Sequence, residues 1–444
     1  MNKKLFDLQK KYCPTDSLPF SDILNSDEIL RLIDAKKILD SRDRIFPPIV
    51  VISAFIKQIM NEDISCAQVV LDLCAERAAN GLPPICANTA GFCQARLRLP
   101  EDLIKDIAIS VGQNTDSKAE KKWKWKGLNV KLVDGTTLSM PDTTANQKEY
   151  PQAETQVEGI GFPLARAVGV TSLTMGTVLG FAIGPYAGKE TGEHALFRQI
   201  LNTCFESGDV FLGDRYYCSY FLIAMLAKKN VAFVSQIHAG RNYDLEQGNS
   251  IGKDDCIVEW KRPSRPEWMD EAEYAEMPLA IKLRQTMFGE LVIISTFLDA
   301  KKITRKNIKK LYKGRWNIET DLLFLKDILQ MGILRSQTPS MVRKEIYATI
   351  LAYNLIRTVI AQAAKLNKKI PREISFKGAK QAINSYAIFI QCAKKNEILK
   401  LYKRMLADIA SRKIGNRPGR SEPREVKRRP KAYPRMTKPR KASA

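Results

Sequence analysis

Four side chains that can act on phosphate or metal lie within one short stretch, "YKGRWNIETDLLFLK", at positions 312–326. They are Tyr312, Arg315, Glu319 and Lys326. On one α-helix, which turns about 100° per residue, all four fall on a stripe about 60° wide, with apolar side chains on the opposite side. An acid flanked by cations on such a stripe indicates an anionic ligand. The alternative is a surface ladder, in which Arg315 and Glu319 form an ordinary i,i+4 ion pair.

Two further acids stand where apolar strands are predicted to end. Asp134 in "VKLVDGTTL" precedes Gly135, and Asp214 in "VFLGDRYY" follows Gly213. Because the ends of neighbouring strands can meet, we expect both aspartates to converge with Glu319 from a helix packed on the sheet. Three carboxylates carry enough charge to hold two divalent ions about 4 Å apart, an arrangement that promotes in-line displacement at phosphorus. For each aspartate alone, the alternative is a turn-capping residue.

The composition favours a polyanionic partner. The 444 residues carry a net charge of +23, from 71 Lys and Arg against 48 Asp and Glu, and 45% of them are hydrophobic, which is enough for a sizeable core. A membrane surface would also attract this charge. However, no stretch approaches the roughly 20 apolar residues that span a bilayer, and residues 1–20 lack a signal-peptide core. We therefore expect a cytoplasmic protein that binds nucleic acid and no membrane.

Zinc is disfavoured by the available ligands. Nine cysteines occur without C-x-x-C pairs, and the two histidines, His194 and His238, are too few for an ordinary zinc cage. We expect reduced thiols and structural histidines. Any catalytic metal is then held chiefly by carboxylates, which select magnesium or manganese.

The first part of the chain, residues 1–125, is predicted to form a helical N-terminal domain. "SCAQVVLDLCAERAANG" begins with the N-cap Ser65 and stops at Gly81. A third helix with a basic end, Arg96 and Arg98, follows a Pro-rich turn. Helix, turn and basic helix are typical of a DNA-binding arrangement. A plain helical bundle with surface arginines is equally compatible with the pattern.

The central part, residues 126–410, is predicted to form a mixed α/β (α+β) domain. Strands rich in Val, Thr and Leu are followed by the order helix, strand, helix, strand, which is typical of a mixed sheet whose ligand groups gather at strand ends. A mainly β insertion at about 238–300 is predicted to extend the sheet, and helices follow from about 303. Residues 411–444 carry 13 Lys or Arg against 2 Glu and form a predicted basic disordered tail.

At this point the sequence resembles a known family, the DDE transposases of bacterial insertion sequences, of the insertion-sequence-4 type. That family carries the pattern Y-x(2)-R-x(3)-E-x(6)-K, which the four residues of the opening stretch match without a gap. Its first acid lies in a "DGT"-like strand end, as Asp134 does, and its second in a "GDR.Y"-like stretch, as Asp214 does. The resemblance covers nearly the whole chain.

The resemblance implies a ribonuclease-H-like core flanked by helices, with a mainly β insertion before the glutamate helix. It implies that Asp134, Asp214 and Glu319 are catalytic and bind two Mg²⁺ ions, for which Mn²⁺ can substitute. It further implies that the tyrosine, arginine and lysine of the opening stretch handle DNA near the cut end. Arg315 and Lys326 would then hold phosphates.

Aromatic side chains could take an unpaired base. Trp316 lies on the same face as the opening stretch's polar residues and could stack a base, or pack in the core. In related transposases a tryptophan of the insertion receives a base flipped during hairpin formation. Trp260 or Trp268 could correspond, although no motif fixes the match.

The function expected from these residues is transposition of an insertion sequence. The protein would bind terminal inverted repeats in double-stranded DNA, cleave the ends and join the 3′-hydroxyl to target DNA, as a homodimer in a synaptic complex associated with the nucleoid. Two alternatives stay open: a ribonuclease-H-like nuclease of host origin with the same chemistry, and a non-catalytic DNA-binding regulator derived from a transposase.

Overall fold

The computed structural model describes residues 20–24, 27–35, 45–241 and 248–414. The chain folds as two compact units: unit 1 is residues 1–117, 138–165 and 324–444, and unit 2 is residues 118–137 and 166–323. The boundaries of these units differ from those of the predicted domains. The predicted domain boundaries, at residues 125 and 410, stay a prediction. The predicted basic tail lies outside the described residues from 415 onward.

Unit 1 is helical, as predicted for the N-terminal region. Ser65 is confirmed as an N-cap, because its Oγ accepts a hydrogen bond from the Gln68 backbone N–H at 3.1 Å. The central helix, α13, begins with Pro339 and lies against α3, α6, α14 and α15. The helices are α1 (Ser21–Leu24), α2 (Asp27–Ala35), α3 (Pro48–Met60), α4 (Cys66–Ala79), α5 (Ala90–Arg98), α6 (Glu101–Ser117), α7 (Thr144–Glu149), α13 (Pro339–Leu366), α14 (Phe376–Cys392) and α15 (Lys395–Ser411).

Unit 2 is built on one mixed sheet of nine strands. Its strands are β1 (Val130–Ser139), β2 (Leu164–Ser172), β3 (Val178–Pro185), β4 (Val210–Leu212), β5 (Ala232–Gln236), β6 (Asn249–Gly252), β7 (Asp255–Lys261), β8 (Ala280–Phe288) and β9 (Leu291–Ser295). They are ordered β3-β2-β1-β4-β5-β9-β8-β7-β6, and β1, β4 and β5 are parallel. This mixed sheet confirms the predicted α/β class, and strands β6 to β9 extend it as the predicted β-rich insertion.

The helices of unit 2 connect and cover these strands. α8 (Glu193–Cys204) joins β3 to β4 and packs on β3, whereas α9 (Tyr220–Lys228) joins β4 to β5 and packs on β5. The others are α10 (Glu271–Ala275), α11 (Arg305–Lys313) and α12 (Trp316–Leu323). Phe211 of β4 and Phe233 of β5 stack with ring centroids 5.1 Å apart in the core that α8 and α9 cover. The parallel strands are therefore fixed from one side by apolar packing.

The insertion is tied to the chain that leads into α11 by a buried ion pair. Strands β6 to β9 extend the sheet through the antiparallel pairing of β9 with β5. The fully buried guanidinium of Arg284 donates to both carboxylate oxygens of Asp255, at 2.8 and 2.5 Å. It also donates to the Ile303 carbonyl at 2.6 Å, and Thr286 Oγ1 donates to Asp255 at 3.0 Å. This network holds the chain just before α11.

Among the residues that the structure describes, none of the helices has both the length and the apolar character needed to cross a membrane.

Removing Asp255 should destabilise the protein strongly. Asp255→Ala leaves the buried Arg284 without its carboxylate, so we expect the free energy of unfolding to fall by about 3–5 kcal/mol. Glu259→Ala removes an exposed carboxylate from the same strand and should cost no more than about 0.5 kcal/mol. Chemical denaturation measures both values, and equal losses would contradict the structural role of the pair.

Candidate active site

Asp134 and Asp214 occupy equivalent positions on neighbouring parallel strands. The last paired residues of β1 and β4 are Leu132 and Leu212, and each aspartate lies two residues beyond its leucine. Because paired strands lie about 4.8 Å apart, this register brings the two carboxyl groups together. The expectation that Asp134 ends its strand is wrong, since β1 continues to Ser139. The strand that ends at this level is β4, which leaves an opening beside β1.

Backbone N–H groups orient both carboxylates. Asp134 Oδ1 accepts from the Gly135 N–H at 2.9 Å, and Asp214 Oδ1 accepts from the Tyr216 N–H at 2.9 Å. Asp214 therefore caps the short 3₁₀ turn Arg215–Tyr217, as the turn-capping alternative anticipated. In addition, Ser235 Oγ on β5 donates to the Asp214 carbonyl at 2.5 Å. Capping fixes the orientation of Asp214 without neutralising its charge.

The pocket around Asp134 disfavours negative charge. The pKa of Asp134 is raised to about 7, chiefly by burial and also by the negative charges of Asp214 and Glu193. The hydrogen bond from Gly135 and the charge of Arg315 oppose this rise in pKa but do not cancel it. The negative charge around Asp134 therefore exceeds the positive charge nearby. A bound cation would compensate this excess.

Glu193 is a third acid at this site that sequence reasoning missed. It is the first residue of α8, after the N-cap Gly192, and its carboxyl group lies directly over Gly135. A Cβ added to Gly135 would lie 2.2 Å from Glu193 Cδ, so a side chain at this position would displace the Glu193 carboxylate. Tyr217, which is fully buried, donates its hydroxyl to Glu193 Oε2 at 3.4 Å. The only signal in the sequence is an acid opening the helix between two strands, which is too common to single out.

The predicted single helix over 312–326 is wrong. α11 ends at Lys313, and α12 starts at Trp316. At the break, backbone hydrogen bonds join residues three apart, with the Arg315 N–H donating to the Tyr312 carbonyl at 3.0 Å. Gly314 has low helix propensity, and Leu173 packs against it so closely that a Cβ would be 3.2 Å from Leu173 Cδ1. The four polar residues therefore do not share one helical stripe.

Arg315 interacts with both Glu319 and Asp134. Its Nη1 is 2.9 Å from Glu319 Oε1, and its positive charge lowers the pKa of Asp134. The Arg315 side chain is 12% exposed and that of Glu319 is 40% exposed, so the glutamate is reachable from solvent. Tyr312 donates its hydroxyl to Gln236 Oε1 at 3.2 Å. The i,i+4 ion pair offered as an alternative is thus present, next to the aspartates rather than on a distant surface.

Within the described ranges, no three His, Cys, Asp or Glu side chains stand in a geometry that holds a metal ion. Glu319 pairs with Arg315, while Asp134 and Asp214 face each other with Glu193 beside them. The convergence of Glu319 with the two aspartates therefore stays a prediction.

The other predicted DNA-binding residues are placed as follows. Trp316 is 61% exposed, with the Arg315 guanidinium 4.6 Å from its ring centroid, so it is not a core residue. Lys326 belongs to unit 1, in the π-helical turn Phe324–Ile328. Arg96 and Arg98 also belong to unit 1, on α5, where Arg98 is exposed.

Arg96 has packing partners within unit 1. Its guanidinium stacks on the rings of Phe55 and Phe92 at 4.9 and 5.3 Å from their centroids, and its Nη1 donates to Gln58 Oε1 at 2.9 Å. This contact supports the bundle, and the predicted DNA contacts of Lys326, Arg96 and Arg98 stay predictions.

The histidines and the tryptophans of the insertion make local contacts in unit 2. His194 Nε2 lies 2.7 Å from the Tyr216 carbonyl, and burial lowers its pKa. His238 Nδ1 accepts from the Gly240 N–H at 3.1 Å. Arg241 and Arg198 stack on Trp260 and Trp268, at 3.9 and 3.8 Å from the ring centroids. The reception of a flipped base by either tryptophan stays a prediction.

The chain resembles known proteins in sequence. A family model described as "Transposase DDE domain" matches residues 125–355, which include both aspartates and Glu319. Transposase InsG for insertion sequence element IS4 of Escherichia coli (strain K12) is 26% identical over 357 residues, 79% of this chain and 78% of that protein. Putative transposase y4zB of Sinorhizobium fredii (strain NBRC 101917 / NGR234) is 24% identical over 172 residues, 37% of this chain and 45% of that protein.

Among solved structures, the cryo-EM structure of the piggyBac transposase synaptic complex with hairpin DNA aligns with 95% of this chain and 87% of its own. The sequence identity is 9% and the TM-score is 0.43.

Replacing Asp134 should change the pH dependence of stability. The pKa of Asp134 rises from its ordinary 3.8 to about 7 on folding, so its stabilising contribution is present below about pH 4 and is lost as the pH rises through 7. Asparagine cannot ionise. In metal-free protein, Asp134→Asn should therefore raise the melting temperature at pH 8, by about 2–4 °C per kcal/mol recovered, and change it little at pH 4.

The exposed Asp299 provides a control of opposite sign. Backbone N–H groups of Lys302 and Lys301 lower its pKa, so Asp299→Asn should lower the melting temperature at pH 8 rather than raise it. If Asp134→Asn lowers the melting temperature equally at both pH values, Asp134 is a structural partner and not a strained charge.

Proposed function

We propose, from the premise that this chain belongs to the family of transposases with a DDE domain, that Asp134, Asp214 and Glu319 are its catalytic carboxylates. They hold two divalent metal ions, Mg²⁺ with Mn²⁺ as a substitute. Bound there, the ions lower the pKa of an attacking water or 3′-hydroxyl and stabilise the leaving oxygen of the DNA phosphate. The observation that carries this proposal is the register of β1 and β4, in which Asp134 and Asp214 each lie two residues beyond the last paired leucines.

The residues present fit such ions. The donors are carboxylate oxygens, the ligands that Mg²⁺ and Mn²⁺ prefer. The raised pKa of Asp134 reports negative charge that its protein neighbours do not compensate. A divalent cation supplies that compensation and would return Asp134 to its ionised form at neutral pH.

Binding of a DNA phosphate to Arg315 would release Glu319 to join the two aspartates. A guanidinium can bind a DNA phosphate bidentately, and the Arg315 Nε is buried without a hydrogen-bond partner in the part of the chain described. The ion pair that Arg315 makes with Glu319 is partly exposed, and such pairs are worth about 0–1 kcal/mol. A phosphate can therefore displace Glu319 from Arg315 at a small cost in free energy. The displaced Glu319 is then free to turn toward the aspartates.

Substrate handling is assigned to further residues of both units. Tyr312 and Lys326 position DNA phosphates near the cut end, and the exposed Trp316 stacks an unpaired base. Arg96 and Arg98 contribute to binding the terminal inverted repeats. The protein acts in the cytoplasm, at the nucleoid, as a homodimer that holds two DNA ends in a synaptic complex. The net charge of +23 supports this assignment, since basic surfaces bind the phosphate backbone.

Replacing Glu319 tests this function. The substrate is an oligonucleotide duplex that carries the inverted repeat from the ends of this element, incubated with Mg²⁺. We expect Glu319→Gln to reduce strand cleavage and 3′-end joining by at least about 100-fold, because the variant loses a metal ligand. A mobility-shift assay should show repeat binding within about threefold of the unaltered protein, since Glu319 holds metal and not DNA.

Glu290→Gln is the matched control, because it makes the same chemical change at an exposed turn of unit 2 and should leave both readings unchanged. If Glu319→Gln cleaves DNA as fast as the unaltered protein, Glu319 is not a catalytic carboxylate. Cleavage without joining by the unaltered protein would instead favour the nuclease, and repeat binding without cleavage would favour the regulator.

A further inference from the structure

One side of α11 is covered by lysine side chains. They recur at intervals of three and four residues, and all of them are exposed, namely Lys306, Lys309, Lys310 and Lys313. At about 100° of rotation per residue, they lie on a stripe about 100° wide that extends about 10 Å along the helix axis. We call this surface the lysine face of α11.

The opposite side of α11 attaches the helix to unit 2. Ile308 is fully buried there, and Leu311 is 1% exposed. The helix begins with a capping box, in which the Asn307 N–H donates to Thr304 Oγ1 at 3.3 Å and the Thr304 N–H donates to Asn307 Oδ1 at 3.2 Å. Apolar packing and capping therefore hold α11 in place without help from the lysines.

The lysine face has little negative charge from the protein to balance it. The sequence of α11 contains no acidic residue. Among the described residues, α11 makes its ion pair through Arg305, which lies 3.1 Å from Asp254, and not through the four lysines. Lys309 Nζ lies 4.9 Å from the ring centroid of Phe288. Since like charges four residues apart repel each other, and the face contains two such pairs, it does not stabilise the helix.

The shape of the face favours DNA over a membrane as its polyanionic partner. A helix that binds a membrane surface inserts apolar side chains between the lipids. Ile308 and Leu311 of α11 are buried within the protein and are not free to do so. The face presents positive charge without an apolar anchor, which suits the phosphate backbone of a duplex.

The C-terminal end of the lysine face lies next to the candidate active site. Lys313 precedes Arg315 by two residues, which span at most about 7 Å, and both belong to unit 2. Arg315 in turn pairs with Glu319 and acts on Asp134 through its charge. A duplex held on the lysine face would therefore pass close to the carboxylates.

We propose that the lysine face of α11 binds the phosphate backbone of double-stranded DNA beside the position of cleavage, without reading the base sequence. This inference rests on the proposed function, because it assumes that DNA is cut at the neighbouring carboxylates. Phosphates are the same in every sequence, so the face would hold DNA that flanks the inverted repeat and target DNA alike.

The salt dependence of DNA binding tests this proposal. The full-length protein is titrated onto a fluorescein-labelled duplex of unrelated sequence in metal-free buffer, and fluorescence anisotropy gives the dissociation constant between about 50 and 200 mM salt. Each neutralised phosphate contributes about −0.9 to the slope of log K against log salt concentration. We expect the combined changes K306Q, K309Q, K310Q and K313Q to make this slope less steep by about 3–4.

The matched control removes four exposed lysines that are scattered over unit 2, through the changes K189Q, K228Q, K253Q and K261Q. It loses the same charge as the first variant but should change the slope by less than about 1. Arginine at all four positions of the lysine face keeps the charge and should preserve the slope of the unaltered protein. If the fourfold glutamine variant does not fold, K306Q with K310Q should still make the slope less steep by about 2.

The outcomes separate this proposal from the proposed function. If the glutamine variants of the lysine face keep the slope of the unaltered protein, or if the scattered variant changes it equally, the proposal is overturned. The proposed function then still stands on the Glu319→Gln result. Loss of binding to phosphatidylglycerol vesicles with unchanged DNA binding would assign the face to a membrane and also overturn the proposal. If the unaltered protein binds no duplex, both are overturned.

Discussion

Repulsion among carboxylates, crowded at the end of two parallel strands, is the constraint on which the site depends. Asp134 and Asp214 face each other because β1 and β4 pair in parallel and in a register that places each acid two residues beyond the last paired leucine. Two crossover helices, α8 and α9, and the apolar core under them hold that register. The packing of unit 2 therefore keeps together charges that would separate in a flexible chain.

Little positive charge from the protein acts on Asp134. Arg315 pairs with Glu319, and its positive charge lowers the pKa of Asp134 without cancelling the rise. An arginine that paired with both aspartates would neutralise the pocket and leave no need for a metal ion. Arg315 instead pairs with the partly exposed Glu319, and the pKa of Asp134 stays raised in spite of the nearby positive charge.

Much of this arrangement is predictable from the sequence. Apolar strands and capped helices predicted a mixed sheet with an insertion, and the spacing of Tyr312, Arg315, Glu319 and Lys326 predicted the transposase family; the fold class and the resemblance to DDE transposases of the insertion-sequence-4 type are both confirmed. The two aspartates were selected because each follows an apolar run in the sequence. The strand pattern alone could not predict the register between β1 and β4 that brings the two aspartates to the same level. Register depends on contacts between distant parts of the chain.

The errors have physical causes. Helical periodicity treats 312–326 as one regular helix, but Gly314 and the close packing of Leu173 interrupt it, and a π-helical turn follows α12. The expected turn after Asp134 is absent because β1 extends past its neighbour β4. The position of Glu193 was missed because it depends on Gly135, 58 positions earlier in the chain, whose missing side chain leaves space for the glutamate's carboxylate.

Anomalous diffraction from crystals of the full-length protein grown with Mn²⁺ would test the central claim most directly, because it locates the ion without reference to activity. A peak within about 2.5 Å of carboxylate oxygens of both Asp134 and Asp214 is the predicted result. Ordered Mn²⁺ bound elsewhere, with these two carboxylates carrying no ion, would contradict the account.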